Sequence, residues 1–409
     1  MSPLRTTKPD ELLAAVAPLV DGVRAPVDAH RSWVFQGRVV VLDYLVHGAP
    51  VGFDVLPGER RGSWRIEVIA RNPVDGPLVA RLGLERVAPR KFLVAELPAG
   101  DRDALPRAVA DHCLGVLDEL AAGGPTEPSQ RLLDALALTD PVVVVDVGAN
   151  PLELPAYTRL LGMGVARVVG FEPQPEAFAE LQGRDPAREL FFPHAIGSPG
   201  PGTLNVYNGS GFASTFDIDD TSIDLIGNER WHEGTRLRGT IPLELTALDD
   251  VPDLPALDLL KIDVQGGELA VFSFGRRALS TALCVIPEVA FFPLYRDAPS
   301  FADVHQELVA QGFQLHKFMF QKSVHLHGSQ TATDRIRDSR SQLVDGDAVY
   351  LRDLRGLASW ADDEVKKLVL LATYVFDSPD LAVRALDELV RRGQVPAGLP
   401  ASYAAARYV

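Results

Sequence analysis

The stretch Val142-Val143-Val144-Val145-Asp146-Val147-Gly148-Ala149-Asn150 governs the reading of the whole chain. Four consecutive β-branched residues suit a strand buried on both faces, and the run stops in a small-residue turn that lets a ligand approach the backbone. Downstream, Val165-Ala166-Arg167-Val168-Val169-Gly170-Phe171-Glu172-Pro173 has the pattern of a second buried strand ending in a carboxylate. Leu154, Tyr157, Thr158, Leu160 and Leu161 between them fit one helix face. Strand, glycine turn, helix, strand and acidic tip make a nucleoside-binding βαβ unit, in which the acid accepts bonds from both ribose hydroxyls.

Composition sets outer limits. A chain of 409 residues predicts two or three domains, and a hydrophobic fraction of 46% with 34 Gly and 31 Pro describes a folded protein with many punctuated turns. The formal charge of −15 disfavours a general polyanion binder, so no nucleic-acid partner is expected. Cys113 and Cys284, far apart, offer neither a disulfide framework nor a thiolate cluster, which fits a reducing cytoplasm. No apolar run approaches the length of a membrane span, and Asp10 and Glu11 interrupt the start where a signal sequence needs an apolar core. The expectation is a soluble cytoplasmic protein with no membrane partner.

Before the central strand, Leu12, Leu13, Val16 and Leu19 predict a leading helix over residues 10 to 20. Short β-type runs follow at Trp33-Val34-Phe35, Val39 to Leu42, Val51 to Val55, Trp64 to Val68 and Lys91 to Val94, broken by Gly48, Pro57-Gly58 and Pro73. They predict a small β-rich or α+β domain, in which His30, Trp33 and His47 are read as fold-supporting or surface residues. A helix over 105 to 120, a linker at 121 to 128 and a short helix over 129 to 138 lead into the central strand.

After Glu172, the pattern predicts a helix over 174 to 181, with Pro175 acceptable in its first turn, and a third strand over Leu190 to Gly197. Two antiparallel-type stretches, 202 to 207 and 239 to 245, flank a small polar loop, Asn208 to Thr215, suited to folding over a ligand. Leu257 to Val264 is the next strand, followed by a helix over 269 to 279, so Asp263 falls at the carboxyl end of a central parallel strand, where open α/β sheets keep ligands. Ala282 to Val289 repeats the arrangement and carries Glu288, with Pro287 arguing for a strand end or bulge. A helix from Ser300 to Val309, strands at 314 to 320 and 348 to 351, and a C-terminal helical hairpin over 360 to 376 and 379 to 392 complete the expectation.

Five blocks in order carry a family resemblance: Asp146 to Asn150, Gly170 to Phe178, Leu260 to Leu269, Glu288 to Tyr295 and Gly346 to Arg352. Together they resemble the FkbM family of methyltransferases, which use S-adenosylmethionine, over about Asp140 to Asp353. The resemblance implies an α/β fold with a Rossmann-like seven-stranded sheet, its last strand antiparallel, and methyl transfer, usually to oxygen. The expected organisation is an N-terminal α+β domain over 1 to 128, a methyltransferase domain over 129 to 355 and a C-terminal helical extension over 356 to 409. Leu152 departs from the pattern where many relatives have a second glycine, and Pro151 fixes its own φ and biases Asn150 towards an extended form.

S-adenosylmethionine has no pyrophosphate, so its site needs close backbone approach, a ribose acceptor and an adenine slot rather than a full glycine fingerprint. Asp146, Gly148, Ala149 and Asn150 in the turn and Glu172-Pro173 at the second tip are the candidate cofactor residues, with Glu172 alternatively a cap for the helix after it. The resemblance places adenine at His194-Ala195, where His194 is either an adenine contact or a loop histidine. Methyl transfer to a hydroxyl asks the protein to align the acceptor and remove a proton. Asp263 and Glu288 are the candidate catalytic residues, Asp263 lining the cofactor as well, and the bland alternative for Asp263 is a helix cap. Glu268 is read as supporting its helix, His305 as a surface residue, and Lys261 as an ion-pair partner of Asp263 or Glu288. No compact ligand spacing supports a metal.

The expected activity is S-adenosylmethionine-dependent O-methylation of a small molecule or sugar, in natural-product or glycan biosynthesis, with the flanking regions shaping an acceptor site or a homodimer interface. The rivals are a Rossmann-type NAD(P) oxidoreductase, which needs phosphate-cradling glycines after Gly148, and a nucleoside-binding protein without catalysis.

Overall fold

The computed structural model describes residues 8–20, 27–35, 39–46, 49–58, 63–70, 79, 82–88, 91–98, 104–122, 127–150, 155–182, 187–333, 336 and 338–407. The chain forms two compact units. One comprises residues 1–140, 154–165 and 365–409, the other 141–153 and 166–364.

In the first unit, helix Pro9–Val20 buries Leu12, Val16 and Val20, one residue per turn on a single face. Strands β1 (Val27–Phe35), β2 (Val39–Val46), β3 (Ala49–Pro57), β4 (Trp64–Ala70), β5 (Arg86–Ala88) and β6 (Lys91–Leu97) pair antiparallel in the order β1-β2-β3-β4-β6-β5. Strict alternation sends Val40, Leu42, Tyr44, Phe53, Ile66 and Val68 into one core with Val109, Cys113 and Leu117 of helix Leu105–Ala122. The opposite face carries Asp54 beside Glu67 across β3 and β4, with Lys91 Nζ 2.6 Å from Asp54. The five sequence-predicted β runs are all strands. His47 lies outside the described residues, as do the side chains of His30 and Trp33 and residues 123–126 of the linker.

Three C-terminal helices form rather than two: Asp362–Tyr374, Pro379–Arg391 and Leu399–Arg407. The third, with Tyr403 buried and its hydroxyl 3.1 Å from Thr373 Oγ1, is an Ala-rich segment whose apolar periodicity is too sparse to stand out in sequence.

In the second unit, strands β7 (Val142–Val147), β8 (Ala166–Phe171), β9 (Glu189–Phe192), β10 (Ala195–Ile196), β11 (Gly200–Tyr207), β12 (Leu237–Thr246), β13 (Leu259–Ile262), β14 (Cys284–Ala290), β15 (Phe313–Val324) and β16 (Gln342–Arg352) form two sheets. The larger has seven strands in the order β15-β16-β14-β13-β7-β8-β9, and only β16, the last in the chain, runs antiparallel to its neighbours. All six residues of β7 are buried, as a central strand covered on both faces requires. This is the predicted Rossmann-like sheet with its antiparallel last strand.

Three local expectations change. The predicted third strand breaks after Phe192, because Pro193 has no N–H to continue a ladder, and Ala195–Ile196 instead joins the smaller sheet, β10-β12-β11, beside Leu245 and Thr246. The helix predicted over 269 to 279 divides into Glu268–Ser273 and Arg276–Leu279. Pro287 sits inside β14 without a shift of register, opposite Ile262 where the ladder to β13 ends, and the pairing with β16 lapses at Ile286 and Pro287 before resuming at Glu288.

Between β11 and β12 the chain inserts a short turn, Ser210–Phe212, and the helices Asp220–Ile226 and Glu229–Gly234. They bury Ile218, Ile223 and Ile226 with Tyr295, Leu294 and Val344 in a second core. This insertion lies near the carboxyl ends of β13 and β14, as the bond from Ser214 to Gln265 shows.

Candidate functional site

Sheet register sets the site's first row. Asp146 on β7 lies between Gly170 on β8 and Lys261 on β13. Lys261 Nζ is 3.8 Å from Asp146 Oδ1 and 3.9 Å from Asp263 Oδ2. The ion-pair reading of Lys261 therefore holds for Asp263, with Asp146 as the other partner. Gly170 leaves room in this row for the Phe191 ring, which stands where its Cβ would be.

Beyond β7 the chain turns sharply. The N–H groups of Gly148 and Ala149 both donate to Phe171 O, at 2.9 and 3.1 Å, and Asp263 N–H donates to Val147 O at 3.0 Å. The turn is thus clamped between the ends of β8 and β13. Gly148 adopts φ +79°, and its missing Cβ would fall 3.0 Å from the carbonyl carbon of Asp263 and closer still to the oxygen. Its glycine requirement is met by the protein's own backbone. Ala149 is buried and Asn150 exposed, while Pro151 and Leu152 lie outside the described residues.

Glu172 stands one residue past β8. Its Oε1 accepts the Gln174 N–H at 2.7 Å, capping the helix Pro175–Leu181, and Glu172 accepts no other side-chain or backbone hydrogen bond among the described residues. Burial pushes its carboxyl up to about 7, with Asp146 and Asp263 adding to the rise and the Gln174 bond and Lys261 opposing it. Pro173 follows, half-buried. His194 is exposed, its ring nearly parallel to that of Phe192 at 5.9 Å and 14°, and 6.5 Å from Phe171. Ala195 is buried beside it, in the smaller sheet.

Asp263 and Glu288 come together through a residue the sequence reading did not single out. Gln265 Nε2 donates to Asp263 Oδ1 at 2.9 Å and also to Glu288 Oε2. Its Oε1 accepts from the Tyr295 hydroxyl at 3.0 Å, and its backbone carbonyl accepts from Ser214 Oγ at 2.6 Å. Burial raises the Glu288 carboxyl well above the usual range, and the charges of Asp263, Asp345 and Glu268 raise it further. Ser214 lies 51 residues before Gln265 and Tyr295 another 30 after it, with no shared motif to link them. The one available signal was that Gln265 follows Asp263 within a strand-end turn.

Glu268 is wholly committed to that turn. Its Oε1 accepts from Val264 N–H and its Oε2 from Gly266 N–H, both at 3.0 Å, so it supports the turn before its helix rather than the helix itself. Burial lifts its carboxyl to about 7. His305 is bonded to the Tyr350 hydroxyl at 3.1 Å and stacked on Phe301 rather than held on the surface. Among the described residues no three His, Cys, Asp or Glu side chains converge as metal ligands, and no helix is long and apolar enough to cross a membrane.

The strand order, with a row of acids along the carboxyl ends of β7, β8, β13 and β14, defines a methyltransferase-type domain. Residues 146–315 match the family described as the methyltransferase FkbM domain. No curated protein matches the chain. Among solved structures, it is similar at 11% identity to magnesium protoporphyrin IX methyltransferase from Synechocystis with bound S-adenosylmethionine, over 58% of this chain and 83% of that one, with a TM-score of 0.28. A putative S-adenosylmethionine-dependent methyltransferase from Listeria monocytogenes matches at 9% identity over 55% and 97%, TM-score 0.29. A putative tRNA (m1A22) methyltransferase from Streptococcus pneumoniae in complex with S-adenosyl-L-methionine matches at 12% over 64% and 95%, TM-score 0.27.

The cofactor of this family is S-adenosylmethionine, and the residues here fit it. Glu172 offers an uncommitted, half-buried carboxyl oxygen at the strand tip, suited to the ribose hydroxyls, and Phe192 with His194 offers flat aromatic surface beside it. The domain is that of an S-adenosylmethionine-dependent methyltransferase.

Proposed function

We propose that this protein methylates a hydroxyl group on a small molecule or sugar, in natural-product or glycan biosynthesis. The observation that carries the proposal is the pair Asp263 and Glu288, joined by one amide at the same sheet edge that bears Glu172. A neutral hydroxyl must lose its proton as it attacks, and a positioned carboxylate is the group that takes it.

The bound cofactor supplies an electrophilic methyl group on a sulfonium with a good leaving group. The chain does the rest. Glu172 accepts from the ribose hydroxyls, and Pro173 packs at the tip. His194 and Ala195 border the adenine. Asp146, Gly148, Ala149 and Asn150 shape the turn along which the cofactor lies. Asp263 receives the acceptor's proton on Oδ2, the oxygen that faces Lys261 and is not bonded to Gln265. Burial raises the Glu288 carboxyl well above the usual range, which favours the neutral form of the second acid beside Asp263. Both buried free thiols, Cys113 and Cys284, are in keeping with work in the cytoplasm.

Calorimetric titration with S-adenosylmethionine, S-adenosylhomocysteine and NAD in parallel tests the cofactor half of the proposal. Binding of NAD alone would overturn it. Transfer of a labelled methyl group to a panel of hydroxyl, amine and carbon acceptors tests the other half, and transfer confined to amines or carbon would remove the O-methylation assignment.

A further inference from the structure

Gln265 is an unusual residue in its surroundings. It adopts φ +53°, a left-handed conformation that costs a branched or long side chain energy, and it precedes Gly266 at φ +106°. Strain of this kind persists only where surrounding bonds over-determine it. Here they do. Ser214, fully buried on the insertion between β11 and β12, donates its hydroxyl to the Gln265 carbonyl and accepts the Phe216 N–H at 2.9 Å. Tyr295, buried on the segment after β14, donates to Gln265 Oε1 and lies 3.1 Å from Phe212 O on the same insertion.

These bonds fix the amide's direction. With Oε1 turned to a phenol, both N–H groups of Nε2 face carboxyls, one on Asp263 and one on Glu288. Turned the other way, the amide oxygen would face Asp263 in place of a donor, and the two acids would lose the donor group they share. Both amide hydrogens and one acceptor position of the side chain are therefore spoken for. Among the described residues, the groups around Glu288 are Asp263, which shares the amide and also lies within direct side-chain hydrogen-bond reach, Glu268 in the turn, Asp345 bonded to Lys322 at 3.1 Å, Asp347 opposite in the β14–β16 ladder, and Tyr295. Of these, only Asp263 is tied to Glu288 by a shared donor.

We infer that Gln265 is the positioning residue of this site: its amide holds Asp263 and Glu288 as one hydrogen-bonded pair, and Ser214 and Tyr295 hold Gln265, so the seating of the insertion between β11 and β12 sets the aim of Asp263. The inference rests on the methyl-transfer reading for its consequence, since the insertion then couples acceptor-side packing to the proton-accepting carboxyl. It does not rest on that reading for its test.

The test is a carbon-13 carboxyl NMR titration of the full chain, with Glu288 assigned through Glu288→Gln. Replacing Asp263 by Asn lowers the Glu288 midpoint, because a negative neighbour is lost. In a Gln265→Leu background the same replacement is expected to have at most half that effect, since the pair is no longer held together. An equal effect in both backgrounds, in folded protein, overturns the inference. Should Gln265→Leu fail to fold, Ser214→Ala and Tyr295→Phe are read in its place: each is expected to reduce the same coupling, and two unchanged values overturn the inference. Titration of S-adenosylhomocysteine into the same samples separates the two proposals. Absence of binding by the parent protein counts against methyl transfer and leaves the carboxyl coupling to be judged alone.

Discussion

The carbonyl group of Asp263 occupies the space into which a side chain at Gly148 would project. The two residues end adjacent parallel strands, and each is needed to close the turn of the other. Gly148→Ala must therefore displace the end of β13 as well as adopt φ +79°. The expected cost is roughly 2 kcal/mol or more, from the left-handed conformation and the overlap together. Urea unfolding measures it, and S-adenosylhomocysteine affinity should fall in step because Asp263 moves. Unchanged stability would mean that the turn relaxes freely.

Glu172 should trade stability for binding. Its folded carboxyl is raised from 4.5 to about 7, so the contribution to stability is fully present below the lower value and is lost as pH rises through the upper one. Glu172→Gln is expected to flatten this loss and to stabilise the free protein at pH 8 by on the order of 1–3 kcal/mol, discounted for its partial exposure. The same substitution should weaken S-adenosylhomocysteine binding at least tenfold. Denaturation at pH 5 and pH 8, with calorimetry at pH 8, provides both readings; an unaltered affinity would take Glu172 out of the ribose role.

Lys261 stands against both Asp146 and Asp263 and lowers the Glu172 carboxyl from the side. Removing its charge with Lys261→Met leaves these carboxyls facing one another. Glu172 should then titrate higher than in the parent chain, and the stability loss that starts near 4.5 should continue to higher pH and be larger in total. A carboxyl NMR titration checks the direction, and a downward movement would contradict the arrangement.

Glu268 is structural on this geometry, since both its oxygens hold backbone N–H groups of the turn. Glu268→Ala leaves two buried donors without partners and should cost about 2–4 kcal/mol. Turnover per folded molecule should fall far less than in Asp263→Asn, for which retained S-adenosylhomocysteine binding with loss of methyl transfer is expected. If Glu268→Ala at low temperature abolishes turnover as completely as Asp263→Asn, Glu268 has a role in the chemistry.

Much of the sheet was legible because a central parallel strand has no polar face to hide. Val142 to Val145 is apolar at every position, and no other arrangement buries both sides of such a run. The strand-end acids were legible for the complementary reason. Carboxylates at Glu172 and Asp263, directly after buried strands, fall at one edge whatever the loops do. The family's ordered blocks then named the cofactor.

Contacts between distant segments were not legible. Nothing near Gln265 announces that Ser214, Glu288 and Tyr295 will meet it, because hydrogen bonds between side chains on separate loops leave no period in sequence. The same limit hid the break at Pro193, which moves Ala195 and Ile196 to another sheet, and the grouping of residues 154–165 and 365–409 with the N-terminal strands in one compact unit. The sequence by itself determined the central buried strands and the acidic edge, since these follow from local pattern and burial, and the family resemblance added the class of cofactor. Only the tertiary structure decided that Gly148 is reserved for the Asp263 carbonyl and that one glutamine amide joins the two candidate catalytic acids, because both depend on which chain ends pack together in space.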